Sequence, residues 1–177
     1  PRMASQVRWW QVGTDADAGF VNYPGLHQRA AMLKARLEQA GFGVNIGLGW
    51  GWLNELPPGS APWRFVALSC KPPLTAEELS GYLQAAERPG VQRWVAIDPL
   101  AKSEYSLKTR ILDLVERMVT AKIHGAEAIF ISDPIGEQTG LLREDGAPGE
   151  LFLPWRTTAL VLSSTEYLGE IRLPGGS

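Results

Sequence analysis

Cysteine is almost absent from this 177-residue chain. Cys70 stands alone, so no internal disulfide can form and no second thiolate exists for a cysteine-based metal site. Histidine is nearly as scarce, at two residues. Neither sign of charge is in excess: 17 Lys+Arg face 19 Asp+Glu, for a formal net charge of −2. A protein that grips nucleic acid through its phosphates carries a basic surplus, so no nucleic-acid partner is expected. Long apolar runs are missing too. Residues 128–131 and 159–162 fall far short of the ~20 residues that cross a bilayer as a helix, and no membrane span is expected. Also missing is any Gly-x-Gly-x-x-Gly that opens a helix. Gly47-Leu48-Gly49-Trp50-Gly51 runs instead into Trp52 and a Pro-rich loop, which removes the phosphate cradle an open-sheet nucleotide enzyme would need. No cofactor and no metal are expected.

What is present is 45% hydrophobic residues in a length that suits one domain, taken as 1–177. Five short runs, at 7–12, 44–50, 65–68, 94–97 and 128–131, are rich in β-branched or aromatic residues and bounded by Gly, Pro or Asp, as buried strands are. Between them the apolar residues take helical spacing: Leu26, Ala30, Leu33 and Leu37; Leu79, Tyr82, Leu83 and Ala86; Ile111, Leu114, Val115, Met118 and Val119. Thr75 with Glu78 forms a capping-box pattern, and Gly41 and Gly125 stand where left-handed helix ends are expected. A last helix is predicted from Pro154 to Tyr167, closed by Gly169. Residues 51–62 leave room for one helical turn at most. Alternating strands and helices predict an α/β fold with a parallel sheet, either an open doubly wound sheet or part of a (β/α)8 barrel.

In both architectures the C-terminal strand ends share one face, where active sites are built. Carboxylates cluster there. Asp15 and Asp17 follow the first strand, Glu55 follows the second, Asp98-Pro99 the fourth and Asp133-Pro134 the fifth. Aspartate after a strand also caps helices and opens turns, which is the plainer role for any one of them. Glycoside hydrolysis needs two carboxyl groups across the scissile bond, and Asp15 and Asp98 are the candidate pair. Indole rings add to the pattern, since a sugar's C–H face stacks on tryptophan. Trp50 and Trp52, past a strand in a Gly-flanked turn, are expected to be exposed, with Trp10 near the same site. Trp9, Trp94 and Trp155 are expected in the core beneath helices. His27 and His124 sit on predicted helices, far from strand ends, and are read as surface or helix-end residues. Ser69-Cys70 could suggest a nucleophile, but no histidine lies near enough to activate it, and a buried thiol is the expected role of Cys70.

The stretch 114–162 resembles the last βα units of clan-A glycoside hydrolase barrels. It carries a helix, Gly125-Ala126-Glu127-Ala128-Ile129-Phe130, an Asp-Pro strand end, then Gly140-Leu141-Leu142-Arg143-Glu144-Asp145-Gly146-Ala147-Pro148 and a closing helix. Trp10-Gln11-Val12-Gly13-Thr14-Asp15-Ala16-Asp17 is similar to the fourth-strand end of that clan, Gly-Asn-Glu-Pro-Asp. The resemblance implies an incomplete TIM barrel, strands four to eight, with Asp15 as acid/base and Asp98 at the nucleophile's place on strand seven. It implies a saccharide as substrate or ligand, contacted by Trp10, Asp17, Trp50, Trp52, Glu55 and Asp133. Both clan glutamates are aspartates here, so a noncatalytic saccharide-binding or scaffold module is the alternative. The chain opens Pro1-Arg2-Met3 and is expected to be a fragment, continuous with an upstream barrel half and, beyond 170–177, a downstream β domain.

Overall fold

A computed structural model describes residues 7–15, 19–39, 43–57, 60–69, 71–86 and 88–169. Asp17, Gly41, Cys70 and the 170–177 tail lie outside them. Five strands, β1 (Trp9–Val12), β2 (Asn45–Gly51), β3 (Phe65–Ser69), β4 (Gln92–Ile97) and β5 (Ala128–Ile131), alternate with four helices, α1 (Leu26–Gln39), α2 (Ala76–Ala85), α3 (Leu107–Ile123) and α4 (Phe152–Ser163). All neighbouring strands are parallel, and their order in the sheet is their order in the chain. Among the described residues no helix intervenes between β2 and β3.

A strand order that runs in one direction, with right-handed crossovers, places every helix on the same face. The core agrees. Ile46, Leu48 and Trp50 of β2, Val66 and Leu68 of β3 and Val95 and Ile97 of β4 pack with Leu26 and Ala30 of α1, Leu79 and Leu83 of α2, and Leu114, Met118 and Ala121 of α3. A doubly wound sheet, covered on both faces, is therefore ruled out.

The opposite face carries Trp9, Phe65, Trp94 and Phe130, and it is concave. Strands β1 and β4 stand three spacings apart, about 14 Å along a sheet at ~4.8 Å per strand. Yet the Trp9 and Trp94 rings lie 5.2 Å apart between centroids. Only a sheet that curls toward this face brings them together, and the result is a half-barrel. Phe65 stacks on Trp94 at 3.8 Å and 20°, Trp9 meets Phe65 edge-on at 5.8 Å, and Phe130 adds a tilted contact with Trp94 at 5.2 Å. Gly47 is part of this packing, because a Cβ there would collide with the Phe65 ring. The expected burial of Trp9 and Trp94 beneath helices is thus corrected: both lie on the helix-free face, and Trp9 is 40% exposed.

Local signals explain the element ends. Thr75 accepts from the Glu78 N–H at 3.3 Å while Glu78 accepts from the Thr75 N–H at 2.9 Å, the reciprocal box that starts α2. Gly125, at φ +75°, ends α3. The last helix stops at Ser163, short of the expected Tyr167. Ser163, Ser164 and Thr165 donate their hydroxyls to the carbonyls of Leu160 and Val161, offering the backbone a competing partner where the helix would continue.

The box also gives the fold an acid-sensitive contact. The Thr75 N–H and hydroxyl hold the Glu78 carboxyl below its usual titration range. A group whose pKa falls on folding stabilises the fold above its unfolded pKa and loses that contribution as pH drops through the folded one. Glu78→Gln is expected to lower the thermal midpoint at pH 7. The gap from the parent chain should close as the solution is acidified through the carboxylate range, and an equal gap at every pH would refute the assignment.

Candidate functional site

The C-terminal ends of the strands form one rim of the concave face. At β1 the loop 13–15 folds inward over β2, because Gly49 has no side chain: a Cβ there would strike the Thr14 carbonyl. This inward fold sets Asp15 at the rim, exposed, with Gln11 Nε2 donating to its Oδ1 at 2.9 Å. On β4, Asp98 follows the last strand residue. Its side chain is 17% exposed, and its Oδ2 lies 4.0 Å from Lys71 Nζ, two residues past β3. The pair is loose, and Lys71 is itself largely in solvent, so the contact orients more than it stabilises.

Two hydroxyls stand on the strands beside that of Asp98, Ser132 level with it and Ser69 level with Ala96, two residues before it. Ser69 ends β3 on the concave side, in line with Phe65 and Ala67. At β5 the Ser132 N–H donates to the Ile97 carbonyl at 3.4 Å, which carries the Ile97–Ile131 register one step on and sets Ser132 beside Asp98. Both Oγ atoms are buried and have no hydrogen-bond partner. Buried hydroxyls are normally paired, and these two are shielded from solvent without a partner. Behind Asp98, Arg117 of α3 is buried. One of its terminal nitrogens donates to the Asp98 carbonyl at 3.0 Å and another bonds Asp113, while its Nε has no partner. Arg117 and Asp98 both border a small cavity of about 20 Å³, room for one water.

Protein-family models and curated proteins contain no match to this chain. Among the described residues no group of three or more His, Cys, Asp or Glu side chains stands close enough to hold a metal ion, and no helix is long and apolar enough to cross a membrane.

The rim brings together only part of the residue set expected from sequence. Asp15 and Asp98 share it, three strand spacings apart. Trp10 pairs in register with Ile46, a core residue of the helix-covered face, and so sits on the face away from the mouth; its Nε1 donates to the Val7 carbonyl at 3.0 Å. The expected exposure of Trp50 and Trp52 is overturned. Trp50 is 1% exposed, on the helix-covered side, with its Nε1 donating to the Asn54 carbonyl at 3.0 Å. Trp52 is 6% exposed and packs on Tyr82 of α2. Alternation is the cause, since β2 turns its glycines to the concave side and its large residues to the helices. Asp133 is exposed and stands one residue past the position level with Asp98. Strands β4 and β5 pair with an offset of 34, as Trp94 with Ala128, whereas the two Asp-Pro steps are 35 apart. Glu55 lines a separate cavity behind the sheet.

Sequence reasoning passed over Gln11, Lys71 and Ser132, and it set Ser69 aside for want of a histidine. The signal for the serines was their place directly after strands, the same place that singled out Asp98. Both histidines do lie elsewhere. His124 caps α3 and hydrogen-bonds Ser80 at 2.8 Å, and His27 packs on Trp63 at a centroid distance of 4.9 Å.

Proposed function

We propose that this sheet belongs to a (β/α)8 barrel of the glycoside hydrolase kind, and that its C-terminal rim binds and cleaves a saccharide with Asp15 and Asp98 as the carboxylate pair. In that barrel β1 and β4 take the places of the fourth and seventh strands. Asp15 protonates the leaving oxygen; Asp98 attacks the anomeric carbon or orients the water that does. The reading is supported above all by the place of Asp15 and Asp98 on one rim of the concave face, with Ser132 level with Asp98 on the next strand. Phe130, 45% exposed on the concave face two residues before Ser132, offers the apolar surface that the buried Trp50 and Trp52 do not. The sequential strand order, the curl, and the edges of β1 and β5, which pair with no further strand among the described residues, support the barrel.

Saccharide binding without cleavage is the second reading, favoured by the hydrogen bond that occupies Asp15. Hydrolysis of a panel of nitrophenyl glycosides separates the two. Asp98→Asn and Asp15→Asn should each lower kcat by ~100-fold or more, the usual worth of positioned acid–base groups. An inactive parent chain that binds oligosaccharide saturably, and loses binding in Asp98→Asn, is a binding module. A parent chain that neither hydrolyses nor binds refutes both readings.

A further inference from the structure

We infer that the N-terminal face of the sheet, at the opposite end of the strands from Asp15 and Asp98, holds a binding site for a phosphate group. A cavity of about 330 Å³ lies there, where Arg64 leads into β3, Gln92 and Arg93 open β4, and Glu127 leads into β5. That volume is at the lower end of the ~300–1,000 Å³ typical of small-ligand sites. Arg64, Arg88 and Arg93 all line it, and Glu127 is its one carboxylate. Arg64 and Arg88 are exposed, so their charge is within reach of a solute.

Helix ends explain where these arginines stand. Both α2 and α3 finish at this face, and a cation near a helix C-terminus meets the helix's partial negative charge. Arg93 donates to the Leu83 carbonyl in the last turn of α2 at 2.9 Å and to the Gly125 carbonyl just past α3 at 3.0 Å. Arg88 donates to the Ala85 carbonyl at 3.4 Å, and Arg64 to the Gly90 carbonyl at 3.3 Å. Capping accounts for the positions but not for the charge. Neither Arg64 nor Arg93 forms an ion pair among the described residues. The Glu127 Oε2 accepts from the Arg93 backbone N–H at 2.7 Å. One carboxylate and two helix ends of about half a charge each, against three guanidinium groups, leave the lining positive. Donors are in excess as well, since a guanidinium has five N–H groups and the two carbonyls occupy two of Arg93's. Forked, permanently charged donors match the oxygens of a phosphate, which as a monoester carries about −1.5 to −2 at neutral pH. The phosphate fills only part of the cavity and leaves room for the organic group of a monoester. This site is separate from the rim, and it stands whether or not that rim hydrolyses anything.

In nitrogen-15-labelled chain the backbone N–H signals of Gly90, Gln92 and Arg93 report on the cavity directly. The probes are inorganic phosphate and glycerol 3-phosphate, each titrated to about 20 mM, with sodium chloride at matched ionic strength as the control. Phosphate is expected to shift these signals saturably, with chloride inert. Binding of both probes supports a monoester as the occupant, and binding of inorganic phosphate alone supports the free ion. Arg64→Gln, a substitution at an exposed position outside the strands, should raise the apparent Kd by about ten-fold, the loss of one hydrogen bond between charged groups. Glu127→Gln keeps an acceptor for the Arg93 N–H and removes the opposing charge. It should lower the Kd by about three-fold, the worth of one charge a few ångströms away in a wet site. The proposal is overturned if neither probe shifts the signals saturably, if chloride acts as phosphate does, if Arg64→Gln binds unchanged, or if Glu127→Gln binds more weakly; the arginines then do no more than cap their helices.

Discussion

Phe65→Ala is expected to lower the unfolding free energy by about 3–5 kcal/mol, the cost of removing a large buried ring whose surroundings cannot collapse. Phe65 is fully buried. It stacks on Trp94, meets Trp9 edge-on and lies over Gly47, so one truncation takes out the centre of the concave packing. Neighbours cannot close the gap easily, because the residue beneath it has no side chain to reorient. The same geometry predicts a sign reversal. Gly47→Ala alone should destabilise, since its methyl meets the ring, at a cost of about 1–3 kcal/mol for overpacking. In the Phe65→Ala background the methyl enters vacated space and should restore part of the loss. Urea unfolding of the four chains measures the coupling. If Gly47→Ala costs the same with and without the ring, the ring does not lie over Gly47.

Arg117→Ala is the second large effect, expected at about 3–5 kcal/mol, because it removes one partner of a buried ionic and hydrogen-bonded group. The guanidinium is nearly inaccessible, and it joins the Asp98 carbonyl, at the end of β4, to Asp113 on its own helix. Its loss leaves that carbonyl without its donor and Asp113 without its counter-charge. Arg117→Met should cost less, since it refills the volume and Asp113 keeps some access to water. Adding Asp113→Asn to Arg117→Ala should recover part of the loss. Thermal unfolding decides: equal midpoints for the parent and Arg117→Ala would mean that the buried network contributes nothing.

The strands were legible because parallel strands covered by helices read as short apolar blocks, and the blocks at 65–68 and 128–131 match β3 and β5 within a residue. The capping box at Thr75 and Glu78 and the left-handed Gly125 were equally plain, being local chemistry. What the linear pattern hid was which way alternate residues face. Trp9 and Trp10 are adjacent tryptophans, and only the pairing of Trp10 with Ile46 tells which belongs to the helix-covered side. For Trp50 a clue was available, since Gly47 and Gly49 leave Ile46, Leu48 and Trp50 as the only large side chains of that strand and they share a face. The near repeat of Asp-Pro misled for a similar reason, as a one-residue difference from the pairing offset takes Asp133 out of line with Asp98. Ser69 and Ser132 became visible as a set only when their strands stood beside that of Asp98.

The approach of Trp9 to Trp94 across two intervening strands has an optical corollary. Two indoles at this separation and tilt act as coupled chromophores, and their coupling depends on how tightly the strands wrap. Near-ultraviolet circular dichroism therefore gauges the bending of the sheet without any attached label, and anything that pries the trough open must dim that signal before a single strand lets go.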